Sequence, residues 1–514
     1  MNPRIFDRLS GRTTGVVVAA VLVVVGFAGP RADPTTVEAS GGSDLGAGGE
    51  FHSIDPARIL DTRLGDDRPR MSPAGSAFNV GIVGRGGLPA FEDLDEDLFD
   101  DRVLAVAVSI TVVGPSDDGF LAAHPAGSSR SDSSLVNFLA GDDVPNSAIL
   151  RPGVAGELTV TLTSPRSQRG SADVIIDVFG WFSSSMHDER GARLVPVNPY
   201  RVVDTRLTAQ PLGPNGFLRV PIAGVGGVPA GDEVVGVVAN LTAVNNRVDS
   251  RDTFLSVVPS VTGSGPTTSN LNLRSGSIRP VTVIVPIGDD GSIIIHNNSG
   301  RVDVLVDVMG YFGMGADVST RRGRVVPLVS PVRIIDTRLP AFGAQPLAPG
   351  AVVEWSMDDF VDRVTVDDAW IGPQSAVIGT LTAARLRQDE AISTEWSFVS
   401  VGPAGADAPD ASILNLVANR DVANLAVMGF GSSTNADNGL VLRNAFGFVD
   451  LILDASAVVL NEWPMPEPVD SSTTSTTVTP TSTTSTSTTS TSTTSTTVTS
   501  TSTTSTTVVS VPST

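Results

Sequence analysis

DVIIDVFGWF, residues 173–182, is the stretch whose pattern sets the fold class. In an extended chain Val174, Ile176 and Val178 share one side, and Asp173 and Asp177 share the other. Period-two alternation with a branched aliphatic face marks a β-strand with one side in a core. The pattern returns as DVLVDVMGYF at 303–312, where Val304, Val306 and Val308 oppose Asp303 and Asp307. It returns degraded as DLILDASAVV from Asp450, with Leu451, Leu453 and Ala455 against Asp450 and Asp454. No stretch between them keeps a long helical period. Short strands separated by turn signals, such as Asp289, Asp290 and Gly291 or Asn438 and Gly439, fill the intervals. The chain reads as all-β.

Working outward, each closing strand ends one copy of a larger repeat. PARILDTR (56–63), PYRVVDTR (199–206) and PVRIIDTR (331–338) open the copies, with 143 and then 132 residues between the Asp of successive triplets. GxGGxPA follows at 84–90 and 224–230 and is missing from the third copy. Then come an apolar strand with central hydroxyls (AVAVSITVV, GVVANLTAV, AVIGTLTAA) and a Phe-containing strand ending in Pro (FLAAHP, FLSVVP, FVSVGP). A short segment around Asn137, Asn272 and Asn415 follows, and then the closing strand. This order predicts three tandem modules at 50–185, 192–316 and 323–463. Copies of about 130 residues with many short strands point to β-sandwiches or barrels; single propeller blades need only about 40–50 residues. The joints at 183–193 and 313–324 are short, which favours copies packed on one another.

Composition narrows the function classes. Aromatics are 5% of the chain and apolar residues 41%, so the cores must be aliphatic. The net charge is −21 and all 34 basic residues are Arg. Nucleic acid is not an expected partner, because phosphate contacts need clustered cations. There is no Cys, which excludes disulfides, thiolate metal sites and Cys nucleophiles. The four His residues do not recur between copies, and no metal site or cofactor is expected.

The two ends point to export. Arg4, Arg8 and Arg12 precede an apolar run at 15–28, the layout of a secretory signal. That run is shorter than the about 20 residues of a spanning helix. Residues 1–32 are expected to be a cleaved signal peptide or, failing cleavage, an N-terminal anchor, the one expected membrane contact, with a linker at 33–49. At the other end, all but seven of residues 471–514 are Ser or Thr. Such a tract has no apolar face with which to offset its chain entropy, so residues 464–514 are expected to be a disordered, stalk-like tail.

With PxRxxDTR near its start and DVxGYF at its end, the repeat resembles one found in secreted proteins of actinobacteria and related bacteria. The resemblance spans nearly all of residues 50–460, and the third copy departs from it by losing both GxGGxPA and GYF. It implies an accessory role at the cell surface, with no settled activity.

The triplets are the candidate site. In a strand, Asp61 and Arg63 point to one side, as do Asp204 with Arg206 and Asp336 with Arg338. Three such sets could grip a sugar or a carboxylate. The structural reading is the stronger one: Asp caps a turn, and Arg pairs with the closing strand, Arg63 with Asp177, Arg206 with Asp307 and Arg338 with Asp454. Trp181 and Tyr311 offer either a platform for sugar rings or packing between modules. Asp173 and Asp177 would lie about 13 Å apart along a strand, wider than the roughly 5–9.5 Å of glycosidase pairs. The acidic run at 92–101 reads as a solvated insertion. No catalytic residue is assigned. The expectation is an exported cell-surface or cell-wall binding protein whose partner is envelope or extracellular polysaccharide or another surface protein. The alternatives are a structural surface protein whose modules only self-associate, and an extracellular hydrolase with a site in one divergent module, around His124 or His296.

Overall fold

The closing strand Asp173–Ser183 is buried along nearly its whole length because both its faces are covered: Val174, Ile176 and Val178 enter one core and Phe182 enters another. Glu50–Asp61 opens the first copy and pairs antiparallel with one edge; the central strand Val103–Val113 pairs with the other, and Val144–Leu150 completes the sheet. Ala77–Gly81, Glu157–Thr163, Gly119–Pro125 and Val136–Phe138 form a second antiparallel sheet in that order. This computed structural model describes Leu22–Val24, Val37–Ala39 and residues 45–462, apart from 66–68, 73–75, 91–101, 130–132, 165–168, 185–186, 188, 262–265, 267, 367–368, 388–395, 419 and 435. The acidic run, the Ser/Thr tract and all of the expected signal segment but Leu22–Val24 lie outside those residues.

The same strand order recurs twice. Arg193–Asp204, Asp303–Gly313, Val234–Asn245 and Ser277–Pro286 make one sheet, facing Gly216–Pro221, Ser292–Asn297, Thr253–Val258 and Leu271–Leu273. Val325–Asp336, Phe448–Leu460, Gln374–Arg387 and Val422–Gly429 make the next, facing Val352–Ser356, Gly439–Asn444, Trp396–Pro403 and Leu414–Val417. In the first pair, Val108, Ile110 and Val174 meet Leu121, Leu158 and Val160 in one core. In the second, Val237, Leu241 and Val306 meet Leu255, Val257 and Ile295. The all-β reading holds, and each pair is two sheets packed face to face. Where GxGGxPA is missing, the chain forms the short helix Asp358–Val361 and the strands Val364–Val366 and Ala369–Trp370. Leu22–Val24 and Val37–Ala39 add parallel to Val352–Ser356 and Val364–Val366.

The central strands are buried on both faces for a physical reason. One face fills its own sandwich; the other, with Ala105, Ala107 and Val238, joins a cluster shared by all three copies. Small residues there let the sheets approach closely. The inner edge strands Val144–Leu150, Ser277–Pro286 and Val422–Gly429 touch one another pairwise, so the three pairs close into a ring. Polar side chains sew the seam. Asn146 Oδ1 accepts from the Leu425 amide at 3.1 Å, Asn424 Oδ1 accepts from the Thr282 amide at 2.8 Å, and Asn424 Nδ2 donates to Asn240 Oδ1 at 2.9 Å. All of this lies within one compact unit.

Candidate functional site

The opening and closing strands carry the motif residues, and their register decides who meets whom. Arg58 lies directly across from Asp177, Arg201 from Asp307 and Arg333 from Asp454. A register shift follows each Arg, so the next residue bulges and the strand bends. Each guanidinium forks onto its carboxylate: 2.9 and 3.2 Å for Arg58, 2.7 and 2.9 Å for Arg201, 2.9 and 3.1 Å for Arg333. Bidentate, charge-assisted bonds of this kind are the strong ones.

This corrects the pairing expected from the sequence. Asp177, Asp307 and Asp454 are held by the Arg of PxR, not by Arg63, Arg206 and Arg338. Antiparallel pairing is the cause. Residues beyond Asp61 run toward Asp173 and away from Asp177. The Arg of each triplet instead folds back on its own Asp: Arg63 Nη2 lies 2.7 Å from Asp61, and Arg206 and Arg338 lie 2.6 Å from Asp204 and Asp336. The backbone N–H of the same Arg donates to that carboxylate at 3.1 to 3.2 Å, the turn cap expected of the Asp. Arg63 and Arg338 therefore hold Asp61 and Asp336 below the usual carboxylate range, chiefly through these hydrogen bonds. Burial pushes Asp204 up, but Arg206 outweighs it and the net direction is down.

Sequence reasoning missed the Thr. Thr62 Oγ1 donates to Asp173 at 2.9 Å and accepts the Val174 amide at 3.0 Å. Thr205 and Thr337 repeat both bonds to Asp303 and Val304 and to Asp450 and Leu451. All five polar positions of DTR and DVxxDV are thus tied to strand closure, and the triplet guanidinium keeps an exposed outer edge. Those three side chains are 45%, 31% and 45% exposed.

The aromatic candidates separate. Trp181 is buried, stacked on His52 at 4.4 Å and edged by His187 at 5.0 Å. Burial, with the nearby His187, lowers His52 to about 4. Tyr311 is only partly covered and stands on a cleft of about 540 Å³ between the second and third sheet pairs. Among the described residues the hydrolase candidates stand apart from each other and are engaged locally. His124 Nδ1 lies 3.1 Å from both the Pro125 carbonyl and Ser128 Oγ, and His296 lies tilted against Phe217 at 4.7 Å with its Nδ1 unpartnered. Among the described residues no group of three His, Asp or Glu could hold a metal ion.

No family model matches the chain, and no curated protein does. Among solved structures, the triple jelly roll of an archaeal virus turret is 9% identical, covering 80% of this chain and 91% of its own, with a TM-score of 0.15. The N-terminal CBM22-1–CBM22-2 tandem domain from Paenibacillus barcinonensis Xyn10C is 8% identical, covering 52% of this chain and 100% of its own, with a TM-score of 0.16. Sulfolobus Turreted Icosahedral Virus matches at 8% identity over 80% of this chain, with a TM-score of 0.15. At TM-scores this low, none of these likenesses bears on fold or ligand.

Proposed function

We propose that this is an exported, cell-surface binding protein built from three tandem copies of one sandwich module, and that it binds envelope or extracellular polysaccharide without being an enzyme. The observation that carries the reading is repetition with closure. Three sheet pairs of one strand order hold their loops around one ring, and each presents the outer edge of a clamped guanidinium, Arg63, Arg206 or Arg338. Repeated weak contacts on a rigid frame gain by avidity when the ligand is itself a repeating polymer. The basic and apolar N-terminus and the Ser/Thr tract support export and display on a stalk.

A surface protein whose modules bind only one another is the second reading. It is favoured by the ring seam, where the copies already satisfy Asn146, Thr282 and Asn424 among themselves. The test is a pull-down of the full-length chain on isolated bacterial cell walls and insoluble polysaccharides, beside a folded triple variant with Arg63→Ala, Arg206→Ala and Arg338→Ala. Retention of the parent supports polysaccharide binding. Loss in the variant would make the triplets ligand residues; retention in the variant would leave them as strand closures. If the parent stays in solution, the polysaccharide reading fails and the self-association reading takes its place.

A further inference from the structure

One position of the repeat is occupied in three different ways. Trp181, Tyr311 and Val458 lie at matching places on the three closing strands, four residues after Asp177, Asp307 and Asp454. Trp181 is 5% exposed and covered by His52, and Val458 is fully buried. Tyr311 alone of the three opens onto the cleft. Its phenol has no hydrogen-bond partner among the described residues. Burial pushes the hydroxyl upward in pKa, with Arg322 pulling it down and Glu233 adding to the rise.

The walls of the cleft fit one chemistry better than others. Along the cleft Glu233 and Glu462 supply acceptors, and Arg322, Asn198 and Asn461 supply donors. Val197, Pro229, Met314 and Phe430 add apolar wall, and the charges along it are of both signs, so the lining is mixed and favours no strongly charged ligand. A sugar hydroxyl both donates and accepts, and the flat apolar face of a pyranose can rest on an aromatic ring. A cleft of about 540 Å³ also falls inside the range of small-molecule sites, roughly 300–1,000 Å³.

We propose that the cleft between the second and third sheet pairs is a binding site for a neutral saccharide, with Tyr311 as the stacking platform and Glu233, Arg322 and Asn198 as hydroxyl partners. The proposal rests on the polysaccharide reading and gives it a place on the molecule distinct from the triplets. It also explains why the aromatic of the first copy does not serve: its face is already taken by His52.

The chain has two Tyr residues, which makes the site directly observable. Full-length Tyr200→Phe protein carrying 3-fluorotyrosine has a single fluorine resonance, from Tyr311. Titration with a panel of neutral oligosaccharides is expected to move that resonance saturably for those that bind by calorimetry. Tyr311→Ala is expected to weaken that binding about tenfold, and Tyr311→Phe to hold it within about threefold. Calorimetric binding that leaves the resonance unmoved overturns the cleft while the polysaccharide reading stands. No binding by any neutral oligosaccharide also overturns the cleft, and retention on insoluble polysaccharide then decides the broader reading by itself.

Discussion

Arg58 and Arg63 lie five residues apart in one motif and do different work. Arg58 holds a carboxylate that is 2% exposed and also reaches Asp61 at 3.2 Å, while Arg63, itself 45% exposed, folds back on Asp61, which Arg58 still contacts. Removing one partner of a buried pair leaves a charge without solvent or counter-ion, which costs about 3–5 kcal/mol when both groups are buried. The Arg58 guanidinium is partly wet, so Arg58→Ala is expected to destabilise by about 2–3 kcal/mol and Arg63→Ala by about 1 kcal/mol. Denaturant midpoints of the two variants check the order; equal losses would mean that Arg63 closes the strand as firmly as Arg58. The motif itself was legible from sequence, and so was the turn-capping Asp. The partner assignment was not, because it ignored strand direction: in an antiparallel pair the earlier residue of one strand meets the later residue of the other. That rule, applied to PARILDTR against DVIIDV, puts Arg58 on Asp177 and Thr62 on Asp173. His52 adds a pH term. Its folded value of about 4 lies below the ordinary 6.5, so the fold prefers the neutral ring. That stability is complete above about 6.5 and is lost as pH falls toward 4, on the order of 1–2 kcal/mol after solvent screening. The groups around it are Trp181, Ser183, His187, Glu50 and Glu189. A His52→Phe variant should flatten the stability profile between pH 6.5 and 4; an unchanged slope would assign the acid sensitivity elsewhere.

At the scale of elements, the loop after the second strand shows what GxGGxPA is for. Gly84, Gly86 and Gly87 all have positive φ, as do Gly224, Gly226 and Gly227. The loop is turned so that Gly86 lies on the opening strand, where an added Cβ would come within 2.9 Å of Ile59 and 3.2 Å of Ala57. Ile59 is buried and cannot swing aside. At Gly343, also left-handed, nothing lies within 4 Å. Strain alone costs about 1–2 kcal/mol, so Gly343→Ala is expected to lose about that much, and Gly86→Ala about 2–4 kcal/mol once the clash with Ile59 is added. Thermal or denaturant unfolding of the two variants separates strain from packing; equal losses would show that the loop gives way without pressing on the strand. The third copy has lost this loop and keeps the staple of Arg333 on Asp454, so the loop supports the opening strand and does not create the pair. Alternation on the closing strands was readable because Asp173 and Asp177 mark the face opposite Val174, Ile176 and Val178. The central strands masked it, since their second face is buried against the ring and Ala105 and Ala107 look like core rather than contact.

Closure of the ring is a property of the whole molecule, and its residues differ between copies, which hid it from a search for repeats. At one end of the ring Asp142 of the first copy gathers Arg274 and Arg279 of the second and Arg420 of the third. At another seam Glu50 of the first copy meets Arg193 of the second and Arg324 of the third, each 3.0 Å away, with Arg190 at 3.3 Å. Beside it Phe51 stacks on Phe312 at 4.0 Å, and backbone bonds run from Gly49 to Val325 and from Phe51 to Ala192. Arg193 and Arg324 are nearly as buried as Glu50 itself. Burial pushes the Glu50 carboxyl up, but Arg324, the Gly191 amide, Arg193 and Arg190 together hold it below its ordinary value. Its contribution is therefore complete above about pH 4.5 and is lost as pH falls through the depressed folded value. Glu50→Gln keeps the shape and removes the charge, leaving two buried guanidinium groups facing each other without a counter-ion. The expected loss is about 3–5 kcal/mol at neutral pH, with a shallower acid limb than the parent. Because the seam joins three copies, the loss should appear as one cooperative transition at a lower denaturant concentration, read alike by far-ultraviolet circular dichroism and by Trp fluorescence. Two separated transitions would mean that the sheet pairs hold their folds independently and that Glu50 governs only their docking.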